Sequence, residues 1–153
     1  MSVGIRLQID SDLDKVALVA RAVRALCSDV LDEEASDAVE ISLVEAINNV
    51  IKHGYAGQPG RDVGVIVTMR QSEVEIEVID QAAPMEAGLL ENASEDRFAF
   101  DITDLDAIPE SGMGLALIQM NMDEVEYRSG NGENRLRMVK RRPASTPGQS
   151  PKA

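Results

Sequence analysis

The sequence is poor in aromatic residues, cysteine and histidine. Its 153 residues include two Tyr, two Phe and no Trp, so aliphatic side chains must fill the interior. The one cysteine, Cys27, permits no internal disulfide, and together with the one histidine, His53, it is too few for a zinc site of the Cys/His kind. This cysteine usage is typical of a reducing compartment, and we expect a cytoplasmic protein.

Long apolar runs and an excess of basic residues are also absent. No run approaches the ~20 apolar residues of a membrane-spanning helix, and the N-terminus lacks a secretion-signal pattern, so we expect no membrane association. The formal net charge of −12 argues against direct nucleic-acid binding, which needs a basic surface. Residues 73–110 hold most of the imbalance, with twelve acids and one base, Arg97, in either a solvated face or an acidic loop.

The chain length suits one domain, which we expect over residues 1–142 with an α+β arrangement of elements. The small and polar composition of residues 143–153 predicts a disordered tail. The turn Gly130-Asn131-Gly132 is typical of a β-hairpin. Residues 81–111 show no sustained period, and a loop of that length is usually a functional lid or disordered. Period-two alternation predicts strands at 3–9, 63–69, 74–78, 124–129 and 134–141.

Two helices are predicted between the first and second strands. The first covers about 12–31, with Ser11 and Asp14 as its start signal. The second starts near Asp37, with a second acid three residues later, and Gly54 ends it.

The second helix carries a polar stripe formed by Glu45, Asn49, Lys52 and His53, opposite its apolar residues. A carboxylate one turn from a carboxamide suits a magnesium and water site beside substrate phosphates, because Mg²⁺ takes oxygen ligands. Glu45 would then be the general base. An ordinary solvated helix face has the same spacing, and spacing alone does not decide between the two.

Asp80 continues the inward parity of Val74, Ile76 and Val78, so its carboxylate should point inward at the strand end. A buried carboxylate needs a partner, and the exocyclic amine of adenine would supply one. A strand-end Asp that starts a turn is an equal alternative.

The segment Gly112-Met113-Gly114-Leu115 is predicted to open a short helix that runs to Met122. Two glycines allow the backbone to approach phosphate closely, and free N–H groups at a helix start favour an anion. A flexible entry to a helix is again the alternative.

Taken in this order, the motifs resemble those of the Bergerat-type (GHKL) ATPases in their anti-sigma-factor serine kinase form. The segment from Glu45 to Tyr55 resembles the family's N box, and Asp80 falls where the family has its adenine-binding Asp. Residues 112–118 and 122–140 resemble the second glycine box and the closing hairpin. The resemblance covers roughly residues 5–141.

The resemblance implies a two-layer α/β sandwich, with helices packed on one face of a mixed, mainly antiparallel sheet. ATP or ADP with Mg²⁺ would lie between the helices and a mobile lid. Asn49 would bind Mg²⁺, Glu45 would orient or deprotonate the attacking serine hydroxyl, and Asp80 would bind adenine. Lys52 and His53 would lie beside the nucleotide.

The second glycine box would also hold the nucleotide in such a protein. Gly112, Met113 and Gly114 would cradle the phosphates through their backbones, with Leu115 beside them. Arg97, the one cation of the acidic region, is a candidate contact to the γ-phosphate from the lid.

Two departures from the family pattern affect the adenine end. The first glycine box appears as Asp80 to Pro84, with Ala82 in place of a glycine. If that position required φ > 0 or close adenine contact, nucleotide affinity would be weakened. The closing hairpin lacks the Gly-Thr pair of many relatives, and Asn134 is the candidate substitute.

The implied function is partner switching. The protein would be a serine kinase that sequesters a sigma factor and phosphorylates a STAS-type anti-sigma-factor antagonist. A serine phosphatase of the same pathway is a further candidate partner, and dimerisation is typical of the family. One alternative, motivated by Ala82 and the acidic loop, is a nucleotide-gated binding switch without kinase activity. Another is an unrelated α+β interaction protein.

Overall fold

The computed structural model describes residues 2–85 and 110–144, and in the second of these ranges the side chains from residue 113 onward. The predicted γ-phosphate contact Arg97, most of the predicted loop and most of the tail lie outside the described residues. Two short turns flank the first two α-helices: a 3₁₀ turn at Leu13–Lys15 and a π-helical turn at Val50–Gly54. The strands and α-helices are β1 (Val3–Asp10), α1 (Val16–Cys27), α2 (Glu33–Asn49), β2 (Asp62–Met69), β3 (Glu73–Asp80), α3 (Glu110–Asn121), β4 (Glu124–Gly130) and β5 (Glu133–Arg141).

The five described strands form one sheet in the order β1-β2-β3-β5-β4. All four pairings are antiparallel, where the resemblance implied a mixed sheet. The predicted hairpin is confirmed, because Asn131 and Gly132 adopt φ values of 55° and 77° between β4 and β5. The central pairing of β3 with β5 places Asp80 opposite Asn134.

The helices pack on one face of the sheet. Val74, Ile76 and Val78 of β3 are fully buried in a core shared with all three α-helices. On the other face, charged side chains of β3 and β5 pair with each other, as in the 3.1 Å contact between Arg135 Nη1 and Glu77 Oε2. This arrangement confirms the predicted α+β sandwich.

The predicted start of the first helix was wrong in detail. Asp12, rather than Ser11, caps the 3₁₀ turn, and its carboxylate accepts from the Asp14 N–H at 2.9 Å. The Ser11 hydroxyl donates to the Gln58 carbonyl at 2.6 Å and accepts from the Arg61 N–H at 3.0 Å. The Ser11 side chain, which the sequence pattern assigned to a local helix cap, therefore binds residues that are distant in the sequence. The first helix also ends earlier than predicted, at Cys27 rather than near residue 31.

Helix α2 begins earlier than predicted. Asp32 caps it by accepting from the Ala35 N–H at 2.8 Å. Asp37, the predicted start, lies one turn inside the helix, where it pairs with Arg24 of α1. Glu40 binds the same guanidinium at 3.1 Å. The two acids match a helix-start pattern, but in the structure they form ion pairs with Arg24 of α1.

No helix within residues 2–85 and 110–144 combines the length and apolar character that crossing a membrane requires.

Candidate functional site

The end of α2 continues into the π-helical turn, in which the Tyr55 N–H donates to the Val50 carbonyl at 2.8 Å. Single π turns inserted into helices occur frequently at functional sites. Here the turn buries Ile51 and leaves Lys52 and His53 exposed on the side that Asn49 faces. The polar stripe thereby extends past the end of the regular helix.

Tyr55 ties this turn to the sheet. Its hydroxyl donates to the Asp62 carbonyl at 2.7 Å and accepts from the Gln81 N–H at 2.9 Å. Burial raises the pKa of Tyr55, so the hydroxyl keeps its proton and its donor role. The segment that follows Asp80 is therefore held against the end of α2.

Asp80 is 7% exposed at the end of β3. Its Oδ1 accepts from the Ala82 N–H at 2.9 Å and from Asn134 Nδ2 at 2.8 Å. Among the described residues no donor reaches Oδ2. One of the two interpretations made from the sequence is therefore observed, because Asp80 Oδ1 starts a turn. Binding of adenine by the other carboxylate oxygen stays a prediction.

Asn134 holds this arrangement from β5. It is 3% exposed, and its Nδ2 donates to the Ala82 carbonyl at 2.8 Å as well as to Asp80. Its Oδ1 accepts from the Ser129 hydroxyl at 2.7 Å. Because both ends of the amide are engaged within the protein, Asn134 orients Asp80 and Ala82.

Ala82 does not adopt the left-handed conformation that would favour glycine. Its methyl group packs against the core. Of the two conditions under which Ala82 was expected to weaken nucleotide affinity, the requirement for φ > 0 is therefore not met. The effect of close contact with adenine stays a prediction.

A cavity of about 260 Å³ opens between the end of α2, β3, α3 and the closing hairpin. It brings together five residues predicted for nucleotide binding: Asn49, His53, Asp80, Leu115 and Asn134. Its remaining walls are mainly apolar, from residues such as Val50, Pro84, Met85 and Leu136. An apolar slot with a carboxylate at one end suits a flat heterocycle that carries an amine.

A second cavity of about 220 Å³ adjoins the first and shares Asn49 and His53 with it. Glu45 and Lys52 also line it, so the whole predicted stripe faces this space. A ligand that fills both cavities would run from Asp80 to the start of α3. The remaining lining residues are Asn48, Met113, Gly114 and Leu117.

Gly114 allows α3 to approach α2 closely. A side-chain carbon built at Gly114 would lie 2.8 Å from Glu45 Oε2 and 3.1 Å from Asn49 Nδ2. Helix α3 begins at Glu110, two residues before the predicted start, so Gly112 lies inside its first turn. The N–H groups of that turn have no intrahelical partner and favour an anion.

The chemistry of these groups fits a magnesium–nucleotide ligand. Asn49 Nδ2 is buried without a hydrogen-bond partner in the described structure, so it is free to donate to a ligand oxygen. The described residues contain no group of three or more His, Cys, Asp or Glu side chains that could hold a metal ion. A magnesium ion here would therefore need oxygen atoms of the nucleotide beside the amide oxygen of Asn49.

Several lining residues of the first cavity were not predicted as site residues, among them Tyr127 and Met85. Tyr127 lies in β4, and its hydroxyl accepts from the Met85 N–H at 2.9 Å. The inward parity that Tyr127 shares with Val125 was a usable signal for its position. No local pattern indicated Met85, because its position depends on tertiary contacts of the segment that follows β3.

Comparison with known proteins agrees with the geometry. Residues 9–140 match the family model described as the histidine kinase-like ATPase domain. The serine-protein kinase RsbW of Bacillus pumilus (strain SAFR-032) is 28% identical over 133 residues, covering 84% of this chain and 80% of the relative. The anti-sigma F factor of Thermoanaerobacter sp. (strain X514) is 33% identical over 129 residues, covering 79% of this chain and 82% of the relative.

The solved structure of the mycobacterial sensor histidine kinase MprB covers 90% of this chain and 100% of its own, with a TM-score of 0.52. At 19% identity that likeness shows the fold alone. The similarity to anti-sigma-factor serine kinases predicted from the motifs is confirmed by the named relatives. Because the family model matches most of the sequence, the chain belongs to the histidine kinase-like ATPase domain family.

Proposed function

We propose that this protein binds Mg-ATP across the two cavities, phosphorylates a serine of a STAS-type antagonist and sequesters a sigma factor. The observation that carries the proposal is the convergence of Glu45 and Asn49 on Gly114, with Asp80 at the far end of the joined cavities. Relatives named as a serine-protein kinase and an anti-sigma factor support the kinase and anti-sigma roles.

In this proposal the adenine lies in the apolar cavity. Its exocyclic amine donates to Asp80 Oδ2, the carboxylate oxygen without a partner among the described residues. The phosphates extend past Asn49 to Gly112, Met113 and Gly114, where the first turn of α3 favours negative charge. His53 lines both cavities and Lys52 lines the polar one, so both would lie beside the nucleotide.

Glu45 is the proposed general base. The serine oxygen forms a bond to the γ-phosphorus, the bond from that phosphorus to the bridging oxygen breaks, and ADP leaves. The serine proton passes to the Glu45 carboxylate. Magnesium, when bound, neutralises charge on the phosphates. Asn49 would hold it through its amide oxygen.

A protein substrate can reach Glu45 from outside the cavities. Glu45 also lines an open groove on the solvent side of α2, together with Asp37, Glu40, Ile41 and Val44. Ile41 is 46% exposed there. The carboxylate therefore lies between the proposed phosphate position and a surface on which the serine-bearing segment can dock.

Incubation of the wild-type protein with Mg-ATP and a STAS-domain antagonist tests the proposal. Phosphoserine on the antagonist, detected by mass spectrometry and lost in Glu45→Ala, is the expected result. Absence of phosphoserine with the wild type overturns the kinase claim. If the antagonist or sigma factor is nevertheless captured in a nucleotide-dependent way, the alternative of a nucleotide-gated switch takes its place.

The partners and setting form a further part of the proposal. We expect a cytoplasmic homodimer that holds the sigma factor, releases it when the antagonist binds, and works with a serine phosphatase that regenerates the antagonist. The net charge of −12 favours protein partners over nucleic acid. The acidic groove that contains Asp37 and Glu40 would suit a partner segment with basic and apolar residues.

A further inference from the structure

Gly54 and Ala82 touch at the adenine end of the site. A side-chain carbon built on Gly54 would lie 2.8 Å from the Ala82 methyl carbon. Apart from the chain beside Gly54, no other described atom lies within 4 Å of that position. The space next to Gly54 is therefore filled by one methyl group.

The backbone itself does not require glycine at this position. Gly54 does not adopt the left-handed φ that disfavours other residues, unlike Gly57 and Gly60 just beyond it. An alanine at position 54 would be acceptable in backbone terms, and the Ala82 methyl group is what opposes it. The two positions thus tolerate one methyl group between them.

Ala82 is linked directly to the adenine-binding carboxylate. Its N–H donates to Asp80 Oδ1 at 2.9 Å, and its carbonyl accepts from Asn134 Nδ2 at 2.8 Å. The same Nδ2 also holds Asp80 Oδ1 at 2.8 Å. A displacement of Ala82 would therefore break its own hydrogen bond to Asp80 and its hydrogen bond to Asn134, the residue that makes the other contact to Asp80 Oδ1.

We propose that Gly54 is a specificity-positioning residue, which keeps the Ala82 turn where it aims Asp80 at the base and so determines selection of adenine over guanine. The inference rests on the proposed nucleotide function. Guanine presents a carbonyl oxygen where adenine has its amine, and an ionised carboxylate can only accept. A correctly held Asp80 thus favours ATP, and a displaced one loses that preference.

The test compares Gly54→Ala, Ala82→Gly and the double variant. Mg-ATP and Mg-GTP affinities are measured by calorimetric titration, and thermal unfolding is followed without nucleotide. Gly54→Ala should weaken ATP binding by about tenfold or more, because overpacking displaces the turn. It should weaken GTP binding much less, so the ratio of the ATP affinity to the GTP affinity falls. Ala82→Gly removes the methyl group at the contact and serves as the background against which the double variant is compared.

The double variant supplies the decisive comparison, because it keeps one methyl group at the contact and carries it on residue 54 instead of residue 82. It should recover ATP affinity to within about threefold of the wild type, together with the preference for ATP. Gly4→Ala is the matched control, since a side-chain carbon there meets nothing within 4 Å and its φ is not positive. It should leave both affinities unchanged.

Each outcome decides the matter. Wild-type protein that binds no nucleotide overturns the proposed function, and the inference falls with it. Wild type that prefers ATP, combined with a Gly54→Ala variant of unchanged preference, overturns the inference alone. If Gly54→Ala fails to fold, the double variant must fold and select ATP, and its failure to do so also overturns the inference. Equal weakening of ATP and GTP binding would indicate a purely structural role and contradict it.

Discussion

Asn49 lines both cavities, and its neighbours support the role that we propose for its carboxamide. Its Nδ2 is buried without a described partner, and Gly114 is the residue that leaves space for it. Glu45, one turn earlier, shares that space but also lines the outer groove. In the proposed mechanism the two side chains therefore face different reactants, the nucleotide and the protein substrate.

Substitutions at these two positions should have different effects. Asn49→Ala should lose both nucleotide binding and phosphate transfer, because it removes the proposed ligand to magnesium and phosphate. Glu45→Ala should keep nucleotide affinity within about threefold and lose transfer by about 100-fold or more, as expected for a general base. Calorimetric titration and transfer of labelled phosphate separate the two. Glu34→Ala, an exposed acid on the same helix, is the control. Loss of binding in Glu45→Ala would contradict the assigned role.

Gly114→Ala tests the close approach of α3. The new methyl group would lie 2.8 Å from Glu45 Oε2 and force both polar side chains to move. We expect transfer to fall about tenfold or more, since small misplacements of reacting groups are costly. Steady-state kinetics with the antagonist would measure it. Gly130→Ala, where a side-chain carbon meets nothing within 4 Å, should leave the rate unchanged. Equal effects at the two glycines would rule out this explanation.

At the scale of elements, the segment after β3 is positioned by contacts from three different parts of the fold. Tyr55 binds it from the end of α2, Asn134 from β5 and Tyr127 from β4. Each contact joins residues far apart in sequence. The end of the site that we propose for adenine is therefore a product of tertiary structure.

Tyr55→Phe should destabilise the fold. The change removes two hydrogen bonds, one to the Asp62 carbonyl and one from the Gln81 N–H, at a cost of about 1–3 kcal/mol. Denaturant unfolding monitored by circular dichroism measures it. Tyr127→Phe loses a single such bond, to the Met85 N–H, and should cost less. An unchanged midpoint in Tyr55→Phe would show that this link contributes nothing.

The elements also show what a sequence can predict. Periodicity identified the five strands and the closing hairpin, because each face of the sheet repeats every two residues. It misplaced the start of α2, since Asp37 matches a capping pattern while serving Arg24 of another helix. The parity of β3 placed Asp80 inward, but no local signal indicated that Asn134, 54 residues away, would hold it. Long-range side-chain pairs lie beyond what local patterns encode.

At the scale of the whole molecule, three helices and one sheet share a single core, so we expect a ligand bound between them to raise the free energy of unfolding. Cys27 is fully buried in that core, and burial raises the pKa of its thiol to about 12. At neutral pH the thiol is therefore both protonated and inaccessible. Its reaction with a thiol reagent reports on opening of the domain.

Mg-ATP should slow the labelling of Cys27. A ligand at 100 times its dissociation constant stabilises the folded state by about 2.7 kcal/mol, which corresponds to about 100-fold less of the open form. Labelling by a chromogenic disulfide is followed with and without Mg-ATP, in conditions where closing is faster than labelling. Mg-GTP at the same concentration should protect much less. Labelling rates that do not change with the nucleotide would be inconsistent with a nucleotide site between the helices and the sheet.

The central claim is that the two adjoining cavities form one Mg-ATP site. The most direct measurement is a crystal structure of the protein grown with Mg²⁺ and a non-hydrolysable ATP analogue. We expect the adenine amine within hydrogen-bonding distance of Asp80 and the phosphates beside Asn49 and Gly114. An analogue bound elsewhere, or these cavities empty at saturating analogue, would contradict the claim.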